Sequence, residues 1–147
     1  MFTSPDIYVD DKQQRAFRRR AIAAFHKNQE YMEAIFVRRG MGEFYVVKFI
    51  KMKLKGAKPG FIDSDQAQYD GLKEEAKKQG LEFGTVHTHL WGDSSLSEWD
   101  HKESVKEKET LTGVLFIEKD KKTKRIKTKL DFWQPQLPGK LKIIHSK

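Results

Sequence analysis

Two histidines one residue apart at the end of a β-branched run, in Gly84-Thr-Val-His87-Thr-His89, restrict the fold more than any other feature of this chain. Side chains alternate with period two along a strand, so both imidazoles point to one face and reach a common ion, while Thr88 points away. Thr85 and Val86 favour extended backbone, and Gly80 and Gly84 bracket the start of a strand expected over 83–89. A polar loop of seven residues, Leu90 to Leu96, leads to Ser97, a good helix N-cap, with Asp100 three residues later in the first helical turn. A carboxylate there either completes a capping box or turns to a metal, and two nearby histidines favour the metal. A strand end and a helix start can thus converge on a three-ligand site of His87, His89 and Asp100 with an open fourth position. That is the arrangement of a metal-dependent hydrolase.

The rest of the 147 residues fits one domain, with no repeat or low-complexity linker to suggest a second. Phe17, Ala21, Ala24 and Phe25 recur at helical spacing within 9–28, opposite a face carrying Arg15, Arg18 and Arg19. Strands are expected over 34–39 and 44–54 around the Gly40-Met41-Gly42 turn. In the second, Ile50, Met52 and Leu54 alternate with Lys51, Lys53 and Lys55. Ser64 is placed to cap a helix reaching about Gln79, with Gly80 as its stop. Beyond the Ser97 helix, strands over 111–118 and 125–132 flank a charged turn at 119–124. The order is that of a mixed α/β (α+β) domain over 1–147, with its core at about 9–133. Residues 134–147 form a C-terminal extension in which 141–144 would add an edge strand or dock on the domain.

Composition narrows the function further. The chain has no cysteine, which excludes disulfides, thiolate metal sites and cysteine-nucleophile chemistry, so a bound zinc must use N and O ligands. No apolar stretch approaches the ~20 residues of a membrane span, and the N-terminus lacks the apolar core of a signal peptide, which makes the cytoplasm the expected compartment. Lys and Arg number 29 against 21 Asp and Glu, a net charge of +8 concentrated at 18–20, 48–58 and 119–129. An anionic partner would be favoured, and nucleic acid stays among the alternatives. The alternating lysines of the late strand nevertheless read better as a solvated face, because no aromatic residues are interleaved with them.

The distal constellation, His-x-His, seven residues, then Ser-x-x-Asp, resembles the signature of the JAMM/MPN+ metalloproteases (the Mov34/MPN/PAD-1 or JAB domain), which it matches residue for residue. The resemblance covers roughly 9–133. It implies a single MPN/JAB-type domain, a curved mixed β-sheet flanked by helices in the cytidine-deaminase-like manner. It also implies one Zn²⁺ per chain on His87, His89 and Asp100, with Ser97 stabilising the oxyanion and an upstream glutamate serving as general acid and base. The family pattern for that glutamate is Glu, Gly three residues on and Gly seven residues on. Glu33 with Gly40 fits it except that Phe36 stands at the first Gly, so Glu33 is the expected base, Glu43 the reserve, and Glu30 is assigned to the helix-to-strand connection. The implied reaction is hydrolysis of a peptide or isopeptide bond, removing a ubiquitin-like tag or processing its C-terminus. Two alternatives stand beside it: a non-catalytic MPN scaffold, and a RadC-like nucleic-acid-associated protein, which shares the ligand pattern and the Gly92-Asp93 pair. Trp91, between the ligands, would grip an extended substrate or cover local core.

Overall fold

Asp10 starts the first helix by accepting the backbone N–H of Gln13 at 2.9 Å, which satisfies one of the donors that a helix N-terminus leaves without an internal partner. The computed structural model describes residues 6–58, 61–89, 109–135, 140, 141 and 143–146. Helix α1 (Asp11–His26) buries Phe17 and Ala21, one turn apart on a single face, and Phe17 stacks on Phe49 with ring centroids 4.9 Å apart. Past its end Asn28 adopts φ 56°, a left-handed conformation that its short amide side chain tolerates. The second helix, α2 (Gln66–Lys78), is capped by Asp65 rather than Ser64, one residue later than the sequence suggested, and Gly80 turns the chain out of it at φ 71°.

Ten strands accompany these helices among the described residues: β1 (Asp6–Val9), β2 (Met32–Gly40), β3 (Glu43–Lys51), β4 (Leu54–Lys58), β5 (Phe61–Ser64), β6 (Glu82–His89), β7 (Leu111–Lys119), β8 (Ile126–Trp133), β9 (Lys140–Leu141) and β10 (Ile143–Ser146). Strands β4 and β5 form a separate hairpin, and the other eight make one sheet in the order β10-β1-β3-β2-β6-β7-β8-β9. The sheet is mixed. Strand β1 runs parallel to β10 and β3, and β6 runs parallel to β7, while the remaining pairs are antiparallel. The α+β class read from the sequence is therefore observed, and the extension does add edge strands. Strand β1 was not anticipated. The long strand expected over 44–54 instead ends at Lys51, and the chain resumes at Leu54 in the separate hairpin.

Central strands β2 and β6 are buried on both faces over 33–37 and 83–88, so each residue of those stretches faces one of two cores. Ile35, Val37 and Val86 join Phe17 and Ala21 beneath α1. Ala34, Phe36 and Phe83 join Tyr69 and Ala76 beneath α2. Val114, Phe116 and Trp133 continue the α2-side face across β7 and β8. No helix among the described residues is long and apolar enough to cross a membrane.

Gly84 lies inside β6 rather than at its start, and the β6–β7 pairing requires it: a β-carbon there would sit 2.0 Å from the carbonyl oxygen of Leu111. Backbone cannot rotate away as a side chain can, so the parallel ladder would have to shift. Gly84→Ala is expected to lose about 3 kcal/mol of folding stability in urea unfolding. An unchanged midpoint would show that the two strands do not approach this closely.

Candidate metal centre

Strand β6 delivers His87 and His89 to its final residues, both on the α2 side of the sheet. In the parallel ladder His87 lies opposite Val114 and His89 opposite Phe116. The His89 ring meets the Phe116 ring edge-on, with centroids 5.5 Å apart, which limits its rotation. His87 is buried and His89 half-buried. Their Nε2 atoms face each other at 3.2 Å. Two nitrogens on a tetrahedral zinc, each ~2.0–2.1 Å from the ion, would be ~3.3 Å apart. The separation is close to that between two corners of such a site, and imidazole is a suitable donor for zinc. Thr88 points the other way, as the alternation requires. Its hydroxyl accepts the Tyr31 N–H at 2.8 Å, and its own N–H donates to the Tyr31 carbonyl at 2.9 Å. Ser97, Asp100 and Trp91 lie outside the described residues. Among the described residues, no three His, Cys, Asp or Glu side chains are grouped to hold a metal ion.

The structure does not bring the expected base, Glu33, to this pair. Glu33 lies opposite Val86 and His87 opposite Met32, and directly opposed residues of an antiparallel pair share a face. Val86 belongs to the α1-side core and Met32 packs against the α2-side one, so Glu33 and the histidines occupy opposite faces. Glu33 is also fully buried and occupied. It accepts Arg20 Nε at 2.6 Å, Arg20 Nη2 at 2.8 Å and the Tyr31 hydroxyl at 2.5 Å. Burial, and then the hydrogen bond to Glu33, push the Tyr31 phenol above its ordinary range. This cluster ties α1 to β2.

Glu43, the reserve, pairs with Gly40 at the far end of β2, about 26 Å along the strand from Met32 at the usual rise. The third glutamate lies nearer in the chain to the end of β2 that pairs with His87. The Tyr31–Thr88 contacts hold the chain beside the end of β6 one step past Met32, and Glu30 is the residue before Tyr31 in the connection from α1. Glu30 is half-buried and has no hydrogen bond or ion pair with the described residues.

A fourth carboxylate, absent from the sequence reading, stands on the same face. Glu109, two residues before β7, is only 5% exposed, and its two oxygens accept the Tyr69 hydroxyl and the Thr85 hydroxyl at 2.7 Å each. Burial pushes its pKa up; the two hydroxyls and the neighbouring His87 act in the opposite direction. Nothing in the run Lys-Glu-Thr-Leu distinguishes it from a solvated turn. The informative partner is Thr85, and its contact depends on a parallel register that one sequence does not reveal.

The fold is similar to that of a protein of Desulfitobacterium hafniense known from a structural-genomics solution structure. The match has a TM-score of 0.66 and 16% identity and spans 95% of this chain and 92% of that one. It extends to the fold alone. No family model matches the chain, and no curated protein matches it.

The Glu33 and Glu109 environments predict opposite responses to the same substitution. In Glu33→Gln an amide N–H₂ must face guanidinium and phenol donors, and the charge on Arg20, itself 34% exposed, loses its partner. That variant is expected to lose about 2–3 kcal/mol in urea unfolding, the buried-pair cost discounted for the exposure of Arg20. The raised pKa of Glu109 means that its folded-state contribution is present in full below the ordinary glutamate range and lost as pH rises through the folded value. At neutral pH the buried charge is therefore a cost, and hydroxyls can accept from an amide. Glu109→Gln should accordingly melt at or above the wild-type temperature at pH 7.

Proposed function

We propose that this protein is a zinc metallopeptidase of the MPN/JAB type that cleaves a peptide or isopeptide bond, with a ubiquitin-like protein or its C-terminal peptide as substrate. The observation that carries the reading is the 3.2 Å approach of two imidazole Nε2 atoms at the end of one strand, in a chain whose next motif is Ser-x-x-Asp at the family spacing. His87 and His89 would hold the metal through Nε2, and Asp100 would complete the set. Zinc with three N/O ligands supplies a Lewis acid with an open position, able to polarise a scissile carbonyl and acidify water at neutral pH.

The protein's own groups do the rest. Glu30, two residues before β2 and half-buried, would take a proton from the attacking water and return it to the leaving amine. Ser97 donates its hydroxyl to the developing oxyanion. Glu33 keeps a mechanical task, holding α1 on the back of the sheet.

Elemental analysis of the purified protein tests the centre directly. About one zinc per chain is expected in wild type and in Glu30→Gln, and none in His87→Ala. Hydrolysis of ubiquitin bearing a fluorogenic C-terminal amide, and of a lysine-linked ubiquitin dimer, should fall about 10²–10⁴-fold in Glu30→Gln. Glu33→Gln should keep its turnover per folded molecule. Absence of zinc after supplementation at neutral pH would remove the metallopeptidase reading, and a salt-sensitive shift of DNA mobility would then favour the nucleic-acid alternative.

A further inference from the structure

We infer that Thr88 is a positioning residue for the histidine pair: its hydroxyl clamps the end of β6 to Tyr31 and so fixes the stretch of backbone from which both imidazoles project. The inference deepens the proposed metal centre and rests on that reading for its zinc affinity. The clamp itself is a contact of the chain alone.

The two edges of β6 are held differently at its end. On the β7 side the parallel ladder runs on, with Thr88 opposite Leu115 and His89 opposite Phe116. On the β2 side the ladder stops at Met32 opposite His87. One step further, a regular antiparallel pair would exchange two backbone hydrogen bonds. Here the Thr88 N–H donates to the Tyr31 carbonyl at 2.9 Å, and the Tyr31 N–H donates to the Thr88 hydroxyl at 2.8 Å. A side chain thus completes the edge where the ladder ends. Tyr31 is a firm anchor for it, since its own hydroxyl donates to Glu33 and its ring stacks on Phe17 with centroids 6.3 Å apart.

Thr88 is the residue between the two histidines, so its backbone sets their separation. His87 and His89 share a face only while residue 88 is extended, and any change in its dihedrals moves one imidazole relative to the other. Their Nε2 atoms stand 3.2 Å apart, close to the spacing of two corners of a tetrahedral zinc site, and that spacing lasts only as long as the backbone between them holds. The residue type suits the task. Thr88 is fully buried on the α1 side, and Val86, two positions earlier on the same face, is the side chain that packing alone would favour there. A hydroxyl in such surroundings costs free energy unless it is bonded. Branching at the β-carbon restricts its rotamers, which keeps the oxygen directed at Tyr31.

Two variants separate positioning from packing. Thr88→Val removes the oxygen and keeps the shape, whereas Thr88→Ser keeps the oxygen. In the folded valine variant the dissociation constant for zinc, read by competition with a chromophoric chelator, is expected to rise about 10–100-fold, the size found for other groups that orient metal ligands, and the serine variant is expected to restore it. A hydroxyl that only satisfies the buried Tyr31 N–H would lower the melting temperature of the valine variant and leave its zinc affinity at the wild-type value. That result would overturn the inference, as would a serine variant that binds as weakly as the valine one. In the metal-free protein, ¹⁵N order parameters at residues 87–89 are expected to equal those at 83–86 in wild type and to fall in Thr88→Val. Low values at 87–89 in wild type would overturn the inference without any variant, so a valine protein that failed to fold would not shelter it. If wild type binds no zinc, the metal reading falls, and the order parameters of the two proteins still decide whether Thr88 holds the end of the strand.

Discussion

Burial of β2 and β6 on both faces is the constraint on which the rest of this structure depends. A strand covered on one side can place a polar group toward water at every second residue. Over 33–37 and 83–88 these two strands cannot, so each polar side chain there needs an internal partner. Glu33 has Arg20 and Tyr31; Thr85 has Glu109; Thr88 has the backbone of Tyr31. The two histidines are placed by the same rule, at the end of β6 where the α2-side core gives way to Phe116. A single parity thus sorts the polar groups of the sheet, those on the α1 side holding the fold together and those on the α2 side gathering around an imidazole pair.

Much of this was legible from the residues. Alternation within a strand is a local property, so His87 and His89 could be assigned a common face and Thr88 the other. The strands around Gly40-Met41-Gly42, both helices and the final hairpin followed from periodicity and from cap and turn residues. In β8 the exposed Lys127 and Lys129 do alternate with Ile126, Thr128 and Leu130. Parity between strands is a different matter, because it depends on register. Motif spacing selects Glu33, and register sets Glu33 behind the sheet, on the face opposite His87. One of the remaining elements was too short to announce itself: the four residues of β1 gain their place only by pairing with β3 and β10. Glu109 needed the parallel β6–β7 alignment, a contact between residues 24 positions apart.

Charge is divided between these roles with little overlap. The excess of cations lies mainly on exposed strand and helix faces, where like charges resist edge-to-edge association of sheets. A few basic residues are drawn inward. Arg18 reaches Thr128 of β8 at 2.7 Å and Gln14 at 3.2 Å, and desolvation lowers its pKa. Arg20 carries the bidentate pair with Glu33. Both project from α1, so the helix is fastened to the sheet by guanidinium forks as well as by Phe17 and Ala21.

The place of the histidines has one more consequence, for what holds them in position. They stand on an interior strand with neighbours on both sides and core beneath each face, and Gly84 lets β7 close against it without a gap. Small zinc domains are commonly unfolded until the ion supplies their missing core. Here the two imidazoles are set by ordinary packing, His87 buried within β6 and His89 against Phe116, so their approach to each other needs no ion to organise it.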